Sequence, residues 1–228
     1  MNRNLVLAIS GASGAVYALR LLEVLLESGH AVHLSISPAG QAVLRQELGL
    51  EIDLERFDPA ALLPGVERIV PGSPLDRLRQ PSSLARPRGF LWLAAAQYPA
   101  LEYHHFRDLM APIASGSFLT GGMVICPCSG GTASAVAHGT SSNLIHRAAD
   151  VHLKERRPLV LVPRETPLST IQLDNMRRCA EAGAVVLPAM PGWYHGVETL
   201  ADLVDFVVAR ILDQLGIENR LIGRWGGG

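Results

Sequence analysis

The stretch RAADVHLKERRPLVLVPRE, Arg147 to Glu165, decides the fold. Its first half predicts a helix, because Ala148, Ala149 and Leu153 are good helix formers. Its second half, residues 159–162, is an apolar run between two prolines and predicts a short, fully buried strand. A helix leading into a buried strand is typical of α/β proteins with a parallel sheet, whose ligands bind outside the carboxyl ends of the strands.

The same stretch carries the charges of a candidate site. Arg147 and Lys154 share one stripe of the predicted helix, and Arg164 and Glu165 follow the predicted strand. Arginine and lysine bind phosphate well, and a carboxylate beside them can act as a general acid or base. Together with Tyr194 and Arg210 further along the chain, these cations could surround an anion. Alternatively, they pair with neighbouring carboxylates on a solvated helix face.

Length and composition indicate one globular α/β domain. The chain has 228 residues, of which 48% are hydrophobic and 18% charged, with a net charge of -1. These values argue against disorder and against a nucleic-acid partner. No run is long enough to predict a membrane span, and three cysteines with no disulfide framework favour a cytoplasmic protein. Cys126 and Cys128 lack the further ligands of a metal site, so we expect buried thiols and no metal.

Two strand-to-helix turns are rich in small polar residues. Residues 5–9 predict a strand, a loop at 10–14 follows, and then come a helix and a second strand that ends near Ser37. The loop is not G-x-G-x-x-G, and Ser37 stands where a dinucleotide-binding unit needs an acidic residue. The loop is therefore equally a tight turn or an anion site. The second turn, residues 127–132, presents N–H groups and hydroxyls to an anion.

Other segments are less informative. A helix is predicted from Pro38 to about Leu48, where Glu47 is expected to be a solvated surface residue. Residues 51–100 are broken repeatedly by proline, and no second core is apparent. Thr199 is expected to cap the last helix. On that helix Arg210 lies beside the apolar face, so it needs an anionic partner or must extend into solvent.

The sequence resembles the flavin prenyltransferase family of the UbiX type along almost its whole length. The matching segments are GASGA at 11–15, ASGS at 114–117, MVICPCSGGT at 123–132, NLIHRAADVHLKERRPLVLVPRETP at 143–167, GAVVLPAMPGWYH at 183–195, LVDFVVARILDQLGI at 203–217 and RWG at 224–226. The resemblance implies a Rossmann-like or flavodoxin-like three-layer sandwich with a central parallel sheet, assembled as a homododecamer. Residues 51–105 look like an extended insertion.

The resemblance also implies a reaction. A dimethylallyl group would pass from dimethylallyl phosphate to N5 and C6 of reduced FMN without a metal. The product, prenylated FMN, would serve UbiD-type decarboxylases in ubiquinone biosynthesis or aromatic-acid decarboxylation.

By the same resemblance, site roles are assigned residue by residue. FMN would be held by Gly11, Ala12, Ser13, Ser37, Ser129, Gly130, Gly131, Thr132, Arg164 and Trp225. The donor phosphate would be held by Ser115, Arg147, Lys154, Tyr194 and Arg210. The catalytic residues would be Ser13, Glu47, Lys154 and Glu165.

Two other functions were considered. FMN-dependent peptidyl-cysteine decarboxylases share the expected fold but carry a P-A-S-A-N-T motif and a histidine in the first helix. This chain has A-S-G-S at 114–117 and no histidine in residues 16–28. A non-enzymatic flavin carrier would not need a second set of cations for a second anion.

Overall fold

The computed structural model describes residues 3–65, 69–78, 100–224 and 226. Residues 90–96, whose apolar run predicts a short helix, and Trp225 both lie outside this range. No helix in the described part of the chain is long and apolar enough to cross a membrane.

A six-stranded sheet forms the centre of the molecule. Every recorded strand pairing is parallel, and the strand order is β3-β2-β1-β4-β5-β6. The strands are β1 (Asn4–Ile9), β2 (Ala31–Ile36), β3 (Leu101–Tyr103), β4 (Met123–Cys128), β5 (Leu159–Pro163) and β6 (Val185–Val186). Strands β4 and β5 are apolar and buried along their whole length, as expected for parallel strands that helices cover on both faces. This architecture confirms the predicted fold class.

Eight helices surround the sheet in the described part of the chain. They are α1 (Ala15–Glu27), α2 (Pro38–Leu48), α3 (Pro59–Leu62), α4 (Pro74–Leu78), α5 (Gly130–Ala137), α6 (Leu144–Lys154), α7 (Thr170–Glu181) and α8 (Leu200–Gln214). Thr199 caps α8 as predicted, by accepting a hydrogen bond from the N–H of Asp202. The helix from Pro38 ends at Leu48, where Gly49 adopts a left-handed conformation.

Alternate residues of the strands face two separate apolar clusters. Leu5, Leu7 and Ile9 pack with helices α1 and α8 on one face of the sheet. Val6 and Ala8 point the other way, into a cluster that includes helices α5 and α6. Helices α6 and α8 therefore lie on opposite faces, and this decides which site residues meet.

The insertion at residues 51–105 contributes the short edge strand β3, which the sequence did not predict. Leu101 to Tyr103 pair with Val32 to Leu34 of β2. Only three residues pair, too few for an alternation of apolar and polar side chains to be recognised.

Candidate functional site

The two polar turns lie side by side at the carboxyl edge of the sheet. Ser10, the first residue after β1, joins them. Its hydroxyl donates to the carbonyl of Pro127 at 2.9 Å and accepts from the N–H of Ser129 at 2.8 Å. Ser10 is almost fully buried, so this link is shielded from water. Ser10 was not predicted to have a role, although its place at the junction of a strand and a polar loop was a signal in the sequence.

Glu47 is attached to the first of these turns. Its carboxylate accepts hydrogen bonds from the N–H groups of Gly14 and Ala15, each at 2.9 Å. These groups lie at the amino end of helix α1, where a negative charge is favourable. The expectation of a solvated surface side chain is therefore wrong. The carboxyl end of α2 folds back onto the start of α1, and no local pattern predicts that contact.

Tyr17, in the first turn of α1, lies between Glu47 and the end of β5. Burial raises the pKa of its hydroxyl, and the charges of Arg164 and Glu47 act on it in opposite directions. The ring also fits against Gly14, whose φ of 111° requires glycine. Tyr17 was not predicted to belong to the site, and the structure places it within range of the charges of both Glu47 and Arg164.

The glycines of the two turns have different roles. A side chain on Gly11 would collide with Ala39 in the first turn of α2, so Gly11 permits close packing within the protein. Gly131 has no atom within 4 Å of the position that a Cβ would take. The second turn is thus the more open of the two towards a ligand.

Ser129 caps helix α5 and shapes the second turn. Its side chain accepts from the N–H of Thr132, and its hydroxyl donates to Thr132 Oγ1 at 3.0 Å. In the described part of the chain, the N–H groups of Gly130 and Gly131 have no protein acceptor. Free first-turn N–H groups at a helix start bind phosphate well. The residues at this edge therefore fit a phosphorylated cofactor.

Three more predicted cofactor residues belong to the same edge. Ser37 caps α2 through a 3.0 Å bond from the N–H of Gly40, and its own N–H donates to the carbonyl of Ile9. Ala12 is buried and Ser13 half-buried in the first turn. Ser13 thus lies at the same edge as the second turn.

Arg164 and Glu165 line a cleft where β5 ends. Its other walls are Thr166, Leu168, Met176 and residues 188–190. Both charged side chains are exposed. Glu165 accepts a hydrogen bond from Gln172 Nε2 at 3.2 Å, and Gln172 is itself fixed by its capping box with Ser169. Gln172, which the sequence analysis did not assign to the site, orients the candidate proton carrier.

A neighbouring groove contains Arg210. It shares Pro188 and Met190 with the Arg164 cleft and also includes Phe206. Tyr194 packs edge-to-face on Phe206 with 5.8 Å between ring centroids. Arg210 is half-exposed and pairs with Asp213 at 2.6 Å. We call Arg164, Glu165, Tyr194 and Arg210 the carboxyl-edge half of the site.

The remaining residues that were predicted to hold the donor phosphate form a second group, which we call the α6 half: Ser115, Arg147 and Lys154. Arg147 Nε donates to the carbonyl of Ala114 at 3.1 Å. Ser115 Oγ lies 2.9 Å from Ser117 Oγ. A side chain on Gly116 would meet the Lys154 ammonium. Arg157 donates to the carbonyls of Gly116 and Phe118 and so fixes this segment, a role that the sequence analysis did not assign.

The two halves lie apart within one chain, so one chain alone does not bring the residues predicted to hold the donor phosphate around a single anion. Lys154 ends α6 shortly before β5 begins, whereas Arg164 directly follows the end of that strand. Strand β5 alone separates these positions by about 13 Å. Arg210 is further removed because α8 packs on the opposite face of the sheet.

The structure also contains the ion pairs that the sequence offered as an alternative role for these cations. Arg147 pairs with Asp150 at 2.9 Å, and Lys154 pairs with Glu155 at 2.5 Å. All four side chains are about one-third to one-half exposed. Ion pairs between solvent-exposed side chains contribute little to stability, so an incoming phosphate can replace them.

Within the described residues, this edge has no group of three histidine, cysteine or acidic side chains with metal-ligand spacing. The one such group in that part of the chain lies elsewhere and consists of His33 on β2, Glu102 on β3 and His104 directly after β3. Cys126, Cys128 and Cys179 are free and buried, as expected. Burial raises the pKa of the first two thiols far above their usual range, so they are unreactive.

A parallel α/β sheet with phosphate-binding turns and a cationic cleft at its carboxyl edge is typical of nucleotide-cofactor proteins. Comparison with known proteins defines the class, because the flavoprotein family model matches residues 1–212. A flavin prenyltransferase UbiX from Pseudomonas aeruginosa is 46% identical over 220 residues, covering 96% of this chain and 92% of the relative. The chain belongs to the flavoprotein family and, within it, to the UbiX flavin prenyltransferases.

Solved structures agree with this assignment. AnUbiX (PadA1), crystallised with FMN and dimethylallyl pyrophosphate, has a TM-score of 0.77 and 32% identity, and the match covers 100% of both chains. A dodecameric FMN-dependent UbiX-like decarboxylase from Escherichia coli O157:H7 has a TM-score of 0.74 and 36% identity, covering 98% of this chain and 100% of the other. An FMN-dependent cysteine decarboxylase, TvaF, reaches 14% identity and a TM-score of 0.54, and so shares only the fold.

Proposed function

We propose that this chain transfers a dimethylallyl group from dimethylallyl phosphate to reduced FMN, giving prenylated FMN for a UbiD-type decarboxylase. The observation that carries the proposal is the near-full-length similarity to flavin prenyltransferases, 46% identity with the Pseudomonas aeruginosa relative. The geometry is consistent with it, since open N–H groups at the start of α5 adjoin a cleft with Arg164 and Glu165.

The residues of the carboxyl edge would have separate roles in binding and in proton transfer. Gly130, Gly131 and Thr132 would hold the FMN phosphate at the start of α5, and Arg164 would contact the flavin. Flavin supplies the nucleophilic ring positions. Glu165, held by Gln172, is positioned to take up or return the proton exchanged there. Cations around the donor phosphate would stabilise the charge that builds on it as it leaves.

A neighbouring subunit would complete the donor site. The cleft at Arg164 has a volume of about 50 Å³, far below the ~300 Å³ or more of a typical cofactor pocket. Exposed apolar side chains flank both halves: Leu109, Met110 and Leu119 beside the α6 half, and Met190 and Trp193 beside the carboxyl-edge half. Such clusters favour subunit contacts. We infer an oligomer, such as a dodecamer, in which the α6 half of one subunit faces the carboxyl-edge half of another.

The direct test is anaerobic incubation of the protein with reduced FMN and dimethylallyl phosphate. We expect one phosphate released for each flavin converted, with a product heavier by one dimethylallyl group in mass spectrometry. Parallel reactions with the diphosphate identify the preferred donor. Unchanged FMN and no released phosphate with either donor would contradict the proposal.

Variants separate the roles within the site. Glu165→Gln should lower turnover by about 10²-fold or more while FMN still binds, because general acid–base catalysis contributes that much. Glu181→Gln is the matched control, since Glu181 is an exposed residue on α7 that pairs only with Arg177 among the described residues. Equal turnover in the two variants would refute the assignment of Glu165.

A further inference from the structure

Two histidines and a glutamate meet on one face of the edge of the sheet, away from the candidate flavin site. His33 of β2 is directly opposite Glu102 of β3 in the strand register. His104 follows Glu102 by two residues and therefore points to the same face. Its N–H donates to the carbonyl of Leu34, which holds it beside β2 beyond the last paired residue.

The ligand atoms of these three side chains lie close together, with one atom from each residue within 4.8 Å of the others. His33 Nδ1 lies 3.0 Å from His104 Nε2 and 3.5 Å from Glu102 Oε2, and His104 Nε2 lies 3.7 Å from Glu102 Oε1. Both histidines are buried, whereas the glutamate side chain is 60% exposed. The group is thus closed on the protein side and open to solvent at the carboxylate.

The spacing of these atoms suits a tetrahedral zinc site. Zn–N bonds of about 2.0–2.1 Å and similar Zn–O bonds give ligand–ligand separations of roughly 3.3 Å in a tetrahedron. The two nitrogens are 3.0 Å apart, and each lies 3.5 or 3.7 Å from a different oxygen of Glu102, so a small rotation of this exposed carboxylate offers one oxygen to the ion. Two imidazoles and one carboxylate are a known zinc ligand set, with water in the fourth position.

We propose that His33, Glu102 and His104 bind one Zn²⁺ ion. The two imidazoles face each other at hydrogen-bonding distance, so without metal one facing nitrogen carries a hydrogen. On binding, that hydrogen moves to the other nitrogen of the same ring, and both facing nitrogens offer lone pairs to the ion. Water occupies the fourth position on the exposed side.

The ion would fix the edge of the sheet. Strand β3 has only three residues, and it leads into the segment that carries Ser115. Phe118 of that segment packs edge-to-face on His33, with 5.0 Å between ring centroids. Zinc would therefore stabilise β3 against β2 and, through Phe118, support the segment around Ser115. The three metal-ligand residues come from β2 and from the end of a long insertion. Their spacing along the sequence therefore matches no metal-binding motif.

The test uses untagged protein that has been stripped with a chelator and then dialysed free of it. Isothermal titration with Zn²⁺ measures stoichiometry and affinity, and Co²⁺ serves as a spectroscopic probe of coordination. The variants are Glu102→Gln and His104→Gln. The first replaces an exposed side chain, so the chain should still fold even if the second variant does not. His138→Gln is the matched control, because His138 is an exposed histidine bonded to the carbonyl of Ser134.

We expect one Zn²⁺ per chain and a four-coordinate Co²⁺ spectrum. Loss of a ligand should weaken binding by at least tenfold, since even loss of a supporting hydrogen bond costs about 10–100-fold. Zn²⁺ should also raise the unfolding temperature of the wild type and of His138→Gln, but not that of His104→Gln. Absence of stoichiometric Zn²⁺ binding by the folded wild type would overturn the proposal. So would an unchanged affinity in Glu102→Gln, or an equal loss in His138→Gln.

Discussion

Glu47 both caps the start of helix α1 and lies among the candidate catalytic residues. Its carboxylate is held by the N–H groups of Gly14 and Ala15, next to Ser13 and within electrostatic range of Tyr17. A carboxylate in this position stabilises the start of α1 and also lies where the resemblance to flavin prenyltransferases implies proton transfer. The two roles can be separated, because a neutral side chain can still accept a hydrogen bond but carries no charge and exchanges no proton.

Replacing Glu47 by glutamine should reduce both stability and turnover. We expect a loss of about 1 kcal/mol in the free energy of unfolding, because a charge at a helix start contributes roughly that much. Turnover should fall by about 10²-fold if the carboxylate carries a proton. Urea unfolding and initial-rate assays measure the two effects. Glu51→Gln is the control, since Glu51 only makes an exposed pair with Arg45 among the described residues. Reduced stability with wild-type turnover would limit Glu47 to a structural role.

Helix α6 is the element that the sequence predicted best. The sequence predicted its apolar and small residues, its stripe of charged residues and the strand that follows it, because each of these features depends on neighbours within a few positions. The sequence did not predict how this helix is attached to the rest of the protein. His152 is fully buried, and it donates through Nδ1 to the carbonyl of Ala148 at 2.7 Å and accepts through Nε2 from Thr120 Oγ1 at 2.8 Å. Thr120 lies 32 residues away in sequence.

The buried, hydrogen-bonded position of His152 predicts that the stability of the protein depends on pH. Burial lowers the pKa of His152 to about 4. An unfolded histidine, with a pKa near 6.5, binds a proton first as the pH falls. The contribution to stability is therefore complete above pH ~6.5 and is lost progressively down to pH ~4, by roughly 3 kcal/mol in total. Because other histidines also titrate, the quantity to measure is the difference in urea-unfolding stability between pH 7 and pH 5 for wild type and His152→Gln.

The variant should be less stable at pH 7 and should lose less stability on acidification than the wild type. His138→Gln, which changes an exposed histidine, should retain the wild-type pH dependence. Parallel stability–pH curves for the wild type and His152→Gln would show that His152 is not the buried titrating group.

At the scale of the whole molecule, the sequence predicted the parallel sheet and the two polar turns but not the arrangement of the site. Strands and helices follow from local periodicity, whereas Ser10, Tyr17 and Gln172 act through contacts with distant segments. The separation of Arg147 and Lys154 from Arg210 follows from which face of the sheet each helix covers. The residue pattern within one helix does not determine which face of the sheet that helix covers.

The division of the donor site between subunits can be tested by mixing two inactive variants. Lys154→Ala removes a cation from the α6 half, and Arg210→Ala removes one from the carboxyl-edge half. If each site combines halves from different subunits, co-expressed mixed oligomers contain intact sites, about one quarter of the total for random assembly. We therefore expect turnover to recover towards a quarter of wild type in the co-expressed protein, and not in a mixture of separately assembled variants. Arg177→Ala is the control for general effects of charge removal, because among the described residues Arg177 makes only exposed ion pairs on α7. If both halves came from one chain, every site in the mixed oligomer would lack one cation, and turnover would stay at the level of the single variants.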